Sequence, residues 1–117
     1  MENYNVIFYE RDNGQCPVEE FIDSLDVKIR AKVVGYIEIL MEKGHLVREP
    51  YSKSLGNGIY ELRCGFSNNE VRIFYFYDTD KTIVLTNGIV KKTQKTPIKD
   101  ILIAKKYRYD YIKGKAI

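Results

Sequence analysis

The side chains best able to do chemistry in this sequence are cations set into apolar strands. Arg72 lies in the run Val71-Arg72-Ile73-Phe74-Tyr75-Phe76. Alternate residues of a strand share a face, so it stands in line with Phe74 and Phe76. A guanidinium in that setting is costly to bury without an anion beside it. That anion is either a cross-strand carboxylate, with Glu61 and Glu70 the candidates, or a ligand facing a pocket. In the run from Ile59 to Phe66, Glu61 and Arg63 point to one side, while Tyr60, Leu62 and Cys64 point to the other. Glu61 then reads as a base or as a partner for Arg63. Further along, Lys91, Lys92 and Lys95 form a basic cluster, whose plainest reading is a solvated strand end.

Charge along the chain is segregated. The 117 residues carry 19 Lys+Arg against 16 Asp+Glu, a formal net charge of +3. Residues 1–58 hold 7 basic and 10 acidic side chains, net −3, whereas residues 59–117 hold 12 and 6, net +6. From Lys91 onward there are 9 basic residues against Asp100 and Asp110. Such a footprint suits a polyanion, nucleic acid first and an acidic protein second. A solvated, lysine-rich terminal helix accounts for the same pattern.

This length makes residues 1–117 one domain, and 44% hydrophobic with 30% charged residues supports a packed core and argues against disorder. The longest apolar stretches are strand-sized, far short of the roughly 18 to 20 residues of a membrane helix. Met1-Glu2-Asn3-Tyr4-Asn5 lacks the basic start and apolar region of a secretory signal, so a cytoplasmic location is expected, with no membrane partner. Cys16 and Cys64 have neither zinc-site nor redox spacing and are expected to be reduced. His45, the only histidine, is a lone surface residue and is assigned no catalytic role.

The elements that must position these groups are legible. Val6-Ile7-Phe8-Tyr9 predicts a first strand ended by Asp12-Asn13-Gly14. Pro17 sits at N1 of a short helix reaching about Ser24, with Glu19 and Glu20 in its first turn. Asp26 is an N-cap for a long helix in which Ile29, Val33, Tyr36, Ile37 and Leu40 recur at helical spacing up to Gly44. Residues His45 to Gly58 show no period and predict an irregular connection. Three strands follow, Ile59 to Phe66, Val71 to Tyr77 and Thr82 to Val90, joined by turn-forming segments short enough for antiparallel hairpins. Thr96-Pro97 reads as N-cap and N1 of a last helix whose Ile98, Ile101, Leu102, Lys105, Tyr109 and Ile112 share one side. The order β-α-α-β-β-β-α predicts an α+β fold with helices covering a mainly antiparallel, four-stranded sheet.

Particular residues within this frame resemble a known family. Tyr60-Glu61-Leu62-Arg63, then Val71-Arg72-Ile73-Phe74-Tyr75-Phe76, then Gly88-Ile89-Val90-Lys91-Lys92-Thr93-Gln94-Lys95-Thr96-Pro97 before the terminal helix, resemble the RelE/ParE superfamily of toxins. Within it they are most similar to the HigB-like, phage-derived killer-protein branch, over essentially the whole chain. The resemblance implies a RelE-like fold and a type II toxin that cleaves messenger RNA on the translating ribosome. It also implies a HigA-like helix-turn-helix antitoxin, operator DNA bound only through that antitoxin, and no metal or cofactor. Cleavage would proceed by attack of the ribose 2′-hydroxyl on its own phosphate, which calls for proton transfer and for cations around the extra phosphorane charge.

By position the resemblance assigns Arg63 and Arg72 to the phosphate and its transition state, where a planar guanidinium fork holds two oxygens and stays charged. Lys91, Lys92 and Lys95 fall in the motif after the last strand, with Lys91 on the RNA backbone and Lys92 and Lys95 catalytic, binding phosphate or transferring protons. Tyr75 matches a recurrent family tyrosine that either stacks on a base, supports Arg72 or packs. The connection His45 to Gly58 offers His45, Arg48 or Lys53 to the RNA, and Lys53 is the residue assigned there. The same superfamily includes ParE-like inhibitors of DNA gyrase that cleave nothing, and phage remnants without activity; these are the alternatives.

Overall fold

The computed structural model describes residues 3–91 and 95–115. Its elements run β1 (Asn5–Phe8), α1 (Pro17–Asp23), α2 (Val27–Lys43), a 3-10 turn (Gly44–Leu46), β2 (Ser52–Gly56), β3 (Ile59–Phe66), β4 (Asn69–Asp78), β5 (Thr82–Lys91) and α3 (Ile98–Lys115). The strands form a single sheet in the order β1-β5-β4-β3-β2, antiparallel except for the β1–β5 pair. The class is the expected α+β, with five strands in place of four. The additional strand, β2, lies inside the stretch expected to be irregular. Its sequence, Ser-Lys-Ser-Leu-Gly, is too polar to show a strand period, and it is defined by its antiparallel pairing with β3 across a Gly56-Asn57-Gly58 turn at positive φ.

Local chemistry sets the two N-terminal helices as read. Pro17 opens α1 with Glu19 and Glu20 in the first turn. The Asp26 carboxylate accepts the Lys28 N–H at 3.1 Å, capping α2. Its apolar stripe, with Val33 and Leu40 buried and Ile29, Tyr36 and Ile37 packed beside them, turns toward the sheet. Helix α2 stops at Gly44, whose φ is 51°; a Cβ there would sit 2.0 Å from the Tyr4 ring, so a larger residue cannot occupy the position. Both cysteines are free thiols, with Cys64 buried.

Each sheet face has its own core. Helices α1 and α2 pack Val18, Ile22, Leu25, Val33 and Leu40 onto Leu62, Cys64, Val71, Ile73, Ile83 and Leu85. On the opposite face Ala104 of α3, with Tyr107 and Tyr111, covers Ile59, Phe74, Phe76 and Val84. The contact face of α3 is therefore not the stripe marked by hydrophobicity: Ile98 and Leu102 are 67% and 57% exposed, and Tyr109 and Ile112 are exposed too. Small Ala104 permits close approach to the sheet, and the two tyrosines supply area while keeping their hydroxyls at the margin. No described helix is long and apolar enough to cross a membrane.

A bulge in β5 decides which side chains meet. Register shifts between the pairs Phe74–Asn87 and Tyr75–Leu85, so Thr86 is the extra residue. Ile83 and Leu85 consequently face α1 and α2, whereas Asn87, Ile89 and Lys91, of the same parity, face α3 alongside Phe74, Arg72 and Glu70. The buried Thr86 hydroxyl donates to the Phe74 carbonyl at 3.1 Å, and Asn87 Nδ2 donates to the Asp100 carbonyl at 3.3 Å, tying the bulge to the first turn of α3.

Candidate nucleic-acid interface

Residues directly opposite each other in an antiparallel pair share a face. The pairs Lys53–Glu61, Arg63–Arg72, Arg72–Ile89 and Glu70–Lys91 therefore place Lys53, Glu61, Arg63, Glu70, Arg72 and Lys91 on the α3 side of the sheet. Beyond the part covered by Ala104, this face changes from apolar to charged. At its centre the Glu61 carboxylate is fully buried, 0% exposed. Glu61 Oε2 accepts Arg63 Nε at 2.9 Å and lies 2.8 Å from Arg63 Nη2, so the guanidinium fork closes on one oxygen. Its Oε1 accepts the Thr96 hydroxyl at 2.6 Å and stands 3.5 Å from Arg72 Nη1.

Arg72 is held from the other side as well. Its Nε donates to Glu70 Oε1 at 2.8 Å and its Nη1 to the Thr96 hydroxyl, leaving it 1% exposed. Thr96 thus accepts from a guanidinium and donates to a carboxylate, the full use of a hydroxyl. Both readings of the Arg72 anion converge: Glu61 and Glu70 are each its partners. At 1% exposed, Arg72 presents almost none of its guanidinium to solvent, where the expected phosphate contact needs an open fork. Arg63 is the guanidinium that reaches solvent, its side chain 14% exposed. Thr96, read as a helix N-cap, spends its hydroxyl on the sheet, and α3 begins at Ile98.

The other expected residues are placed differently from one another. Lys53 and Lys95 are exposed, Lys53 next to Glu61 and Lys95 one residue before Thr96. Lys91 is largely buried opposite Glu70. Lys92 lies outside the described residues. Tyr75 is on the α1–α2 face, 1% exposed, its hydroxyl 2.5 Å from that of Ser52 and its ring 5.4 Å from Tyr60. Strand alternation separates it from Arg72, so it supports neither that arginine nor an incoming base; it packs. Burial raises its phenol pKa. His45 is exposed and stacked on Tyr77, away from the arginines. Thr96 is the residue that sequence reasoning missed, because nothing local links it to a carboxylate 35 positions earlier.

Among the described residues no group of three or more His, Cys, Asp or Glu is placed to hold a metal ion. The arrangement can concentrate positive charge at a surface, with one guanidinium rigidly oriented and exposed lysines at its flanks, which is the equipment for binding a phosphodiester.

A sheet with two helices on one face, a third on the other and a buried arginine–carboxylate cluster between them defines a RelE-like α+β domain. One solved structure with this fold is RelE in the archaeal RelE–RelB complex from Pyrococcus horikoshii OT3, 16% identical, aligned over 80% of this chain and 100% of that one with a TM-score of 0.51. No curated protein matches significantly. The profile of the phage-derived Gp49-like proteins (DUF891) matches residues 20–109, more than three quarters of the chain. The chain belongs to this Gp49-like family, a RelE/HigB-type toxin family within the RelE superfamily.

Proposed function

We propose that the chain is the toxin of a type II toxin–antitoxin pair and acts as a ribosome-dependent endoribonuclease on messenger RNA. The observation that carries this reading is the partly exposed Arg63 side chain, fixed by a buried carboxylate on a sheet face flanked by the exposed Lys53 and Lys95. In the proposed reaction the ribose 2′-oxygen attacks the adjacent phosphorus, its proton is removed, and the 5′-oxygen leaves with a proton. Arg63 binds the non-bridging oxygens and stabilises the charge that grows on the phosphorane. Arg72 is a positioning residue: through Glu61 and Thr96 it fixes both Arg63 and the segment that delivers Lys95. Lys53 neutralises a backbone phosphate, Lys91, largely buried, adds its charge to the potential of that face without direct contact, and Lys92 and Lys95 take part in charge stabilisation and proton transfer. The mechanism needs no cofactor. The partner is a HigA-like helix-turn-helix antitoxin, through which the pair would contact operator DNA, and the ribosome presents the message. Support for an antitoxin comes from the fold shared with a RelE solved together with RelB.

Induced expression should arrest growth and leave in-frame 5′ ends in ribosome-bound transcripts, mapped by sequencing. Arg63→Ala should abolish both, and Arg63→Lys, which keeps a cation on Glu61 but loses the planar fork, should cut both sharply while the purified protein keeps its melting temperature within a few degrees. Growth arrest with intact messages and damaged DNA would replace the reading with gyrase inhibition. Absence of any growth effect would leave an inactive remnant.

A further inference from the structure

The α1–α2 face of the sheet carries a second group of residues that the arginine face does not use, reaching the β2 edge at Tyr60 and Ser52. Tyr4, Tyr60, Tyr75 and Tyr77 form an aromatic block capped by His45. The His45 ring lies 3.7 Å from that of Tyr77 with planes 22° apart, and it meets Tyr60 edge-on at 6.3 Å. Tyr60 in turn stacks on Tyr75 at 5.4 Å, and Tyr75 is anchored by Ser52. The block is packed from within, with its outermost rings resting on half-buried Tyr77 and buried Tyr75. Those rings, exposed His45 and half-buried Tyr60, line an open groove of about 560 Å³ together with Arg48, Lys53 and Ser52. One carboxylate, Glu49, shares the rim with the two cations, leaving it net positive.

The outer face of the His45 ring, the Tyr60 ring standing at 75° to it, hydroxyls beside them and cations at the margin match the parts of a nucleotide: a base to stack, edges to bond and a phosphate to neutralise. Continuity with the arginine face is direct, since Lys53 lines the groove and stands in register with Glu61 on the other side of the β2 edge. We propose that this groove is a base-stacking subsite for single-stranded RNA. It takes one nucleotide of the strand whose phosphate is held at Arg63, the chain passing over the β2 edge by way of Lys53, with the base stacked on His45, its edge toward Tyr60, and its backbone on Arg48 and Lys53. The identity of the ligand rests on the nuclease reading; the aromatic and cationic character of the groove does not.

The test uses the full chain and a fluorescein-labelled 2′-O-methyl RNA hexamer, which cannot undergo 2′-hydroxyl attack, with binding followed by anisotropy. His45→Ala should weaken binding about tenfold, the ordinary value of one stacked base, whereas His45→Phe should hold it within about twofold. A hexamer with abasic positions keeps its phosphates and should bind equally to wild type and His45→Ala. Ring protons of His45 and Tyr60 should move upfield in NMR spectra when the intact hexamer is added. Unchanged binding by His45→Ala, or the same loss with the abasic hexamer, overturns the subsite. If Arg63→Ala meanwhile abolishes transcript cleavage, the nuclease reading stands and only the subsite falls. If cleavage is absent from wild type as well, the nuclease reading falls by a separate measurement. Arg48→Ala provides a second variant should His45→Ala fail to fold, with a predicted loss of affinity that shrinks at high salt.

Discussion

Arg63 and Arg72 stand directly opposite each other on neighbouring antiparallel strands, two like charges in register, and both reach the same buried carboxylate, Glu61. Without that carboxylate the pair would repel at the shortest cross-strand separation a sheet allows. With it, the charges fix one another. Arg63 is locked at the surface, Arg72 fills the interior behind it, and Thr96 joins the network from the segment before α3.

Removing the charge of Glu61 while keeping its shape should be severe. Glu61→Gln leaves two guanidinium groups facing a neutral amide in a buried setting, and the cost of breaking such a pair is about 3–5 kcal/mol. Urea unfolding should show the midpoint falling with little change in slope. A loss below about 1 kcal/mol would mean that solvent compensates the arginines and that the cluster is not closed. For the same reason Arg72→Ala and Arg63→Ala should each destabilise the fold, whereas Arg63→Lys, which leaves a cation beside Glu61, acts chiefly on activity.

Gly88 is required by close packing. A Cβ there would lie 2.6 Å from Phe21 Cδ2 and 2.9 Å from Ile73 Cδ1. Gly88→Ala should therefore cost about 1–3 kcal/mol by overpacking. Adding Phe21→Leu should recover part of that loss, so that the double variant is more stable than additivity predicts, a coupling read from thermal melts of all four proteins. Strict additivity would show that the ring moves aside without cost.

The two faces of α3 should respond in opposite ways. Ala104 is fully buried against the sheet, and Ala104→Leu should cost about 1–3 kcal/mol because the added atoms have no space. Leu102, more than half exposed, should tolerate Leu102→Lys within about 0.5 kcal/mol. Equal losses at both positions would place the sequence-predicted stripe, after all, in the interior.

Cys64 should be silent toward thiol reagents until the protein unfolds. Burial, with a smaller contribution from the Glu70 charge, pushes its pKa up to about 12 from the ordinary 9.0. At pH 8 a disulfide-exchange reagent should modify half-buried Cys16 first and Cys64 only on addition of denaturant. Above pH 9 the unfolded thiol ionises and the folded one does not, so the unfolded state binds fewer protons and stability falls as pH rises. The slope approaches about 1.4 kcal/mol per pH unit between pH 9 and 12, and Cys64→Ala should remove this component. Equal labelling of both cysteines in the native protein would refute the enclosure of Cys64.

What the sequence by itself determined is whatever a few neighbouring residues decide among themselves. The N1 proline at Pro17, the Asp26 cap, the stripe from Ile29 to Leu40 and the Gly44 stop define α1 and α2. Turn chemistry defines the β3–β4–β5 meander, and alternation put Glu61 with Arg63 on one face of β3 and Arg72 with Phe74 and Phe76 on one face of β4, while the observed register joined the two sets. Tertiary structure decided the rest, because each remaining feature is a contact between distant segments. Strand β2 has no periodicity of its own and exists through its hydrogen bonds to β3. The Thr86 bulge, visible in no pattern, brought Lys91 onto the arginine face. Contact with the sheet selected Ala104, with Tyr107 and Tyr111 packed beside it, over the more hydrophobic side of α3, because a small residue permits close approach to the strands. Finally, the choice of anion for Arg72, open between protein and ligand in the sequence, closed when folding carried Thr96 and Glu61 together: a buried guanidinium takes the partners that packing places within hydrogen-bond reach.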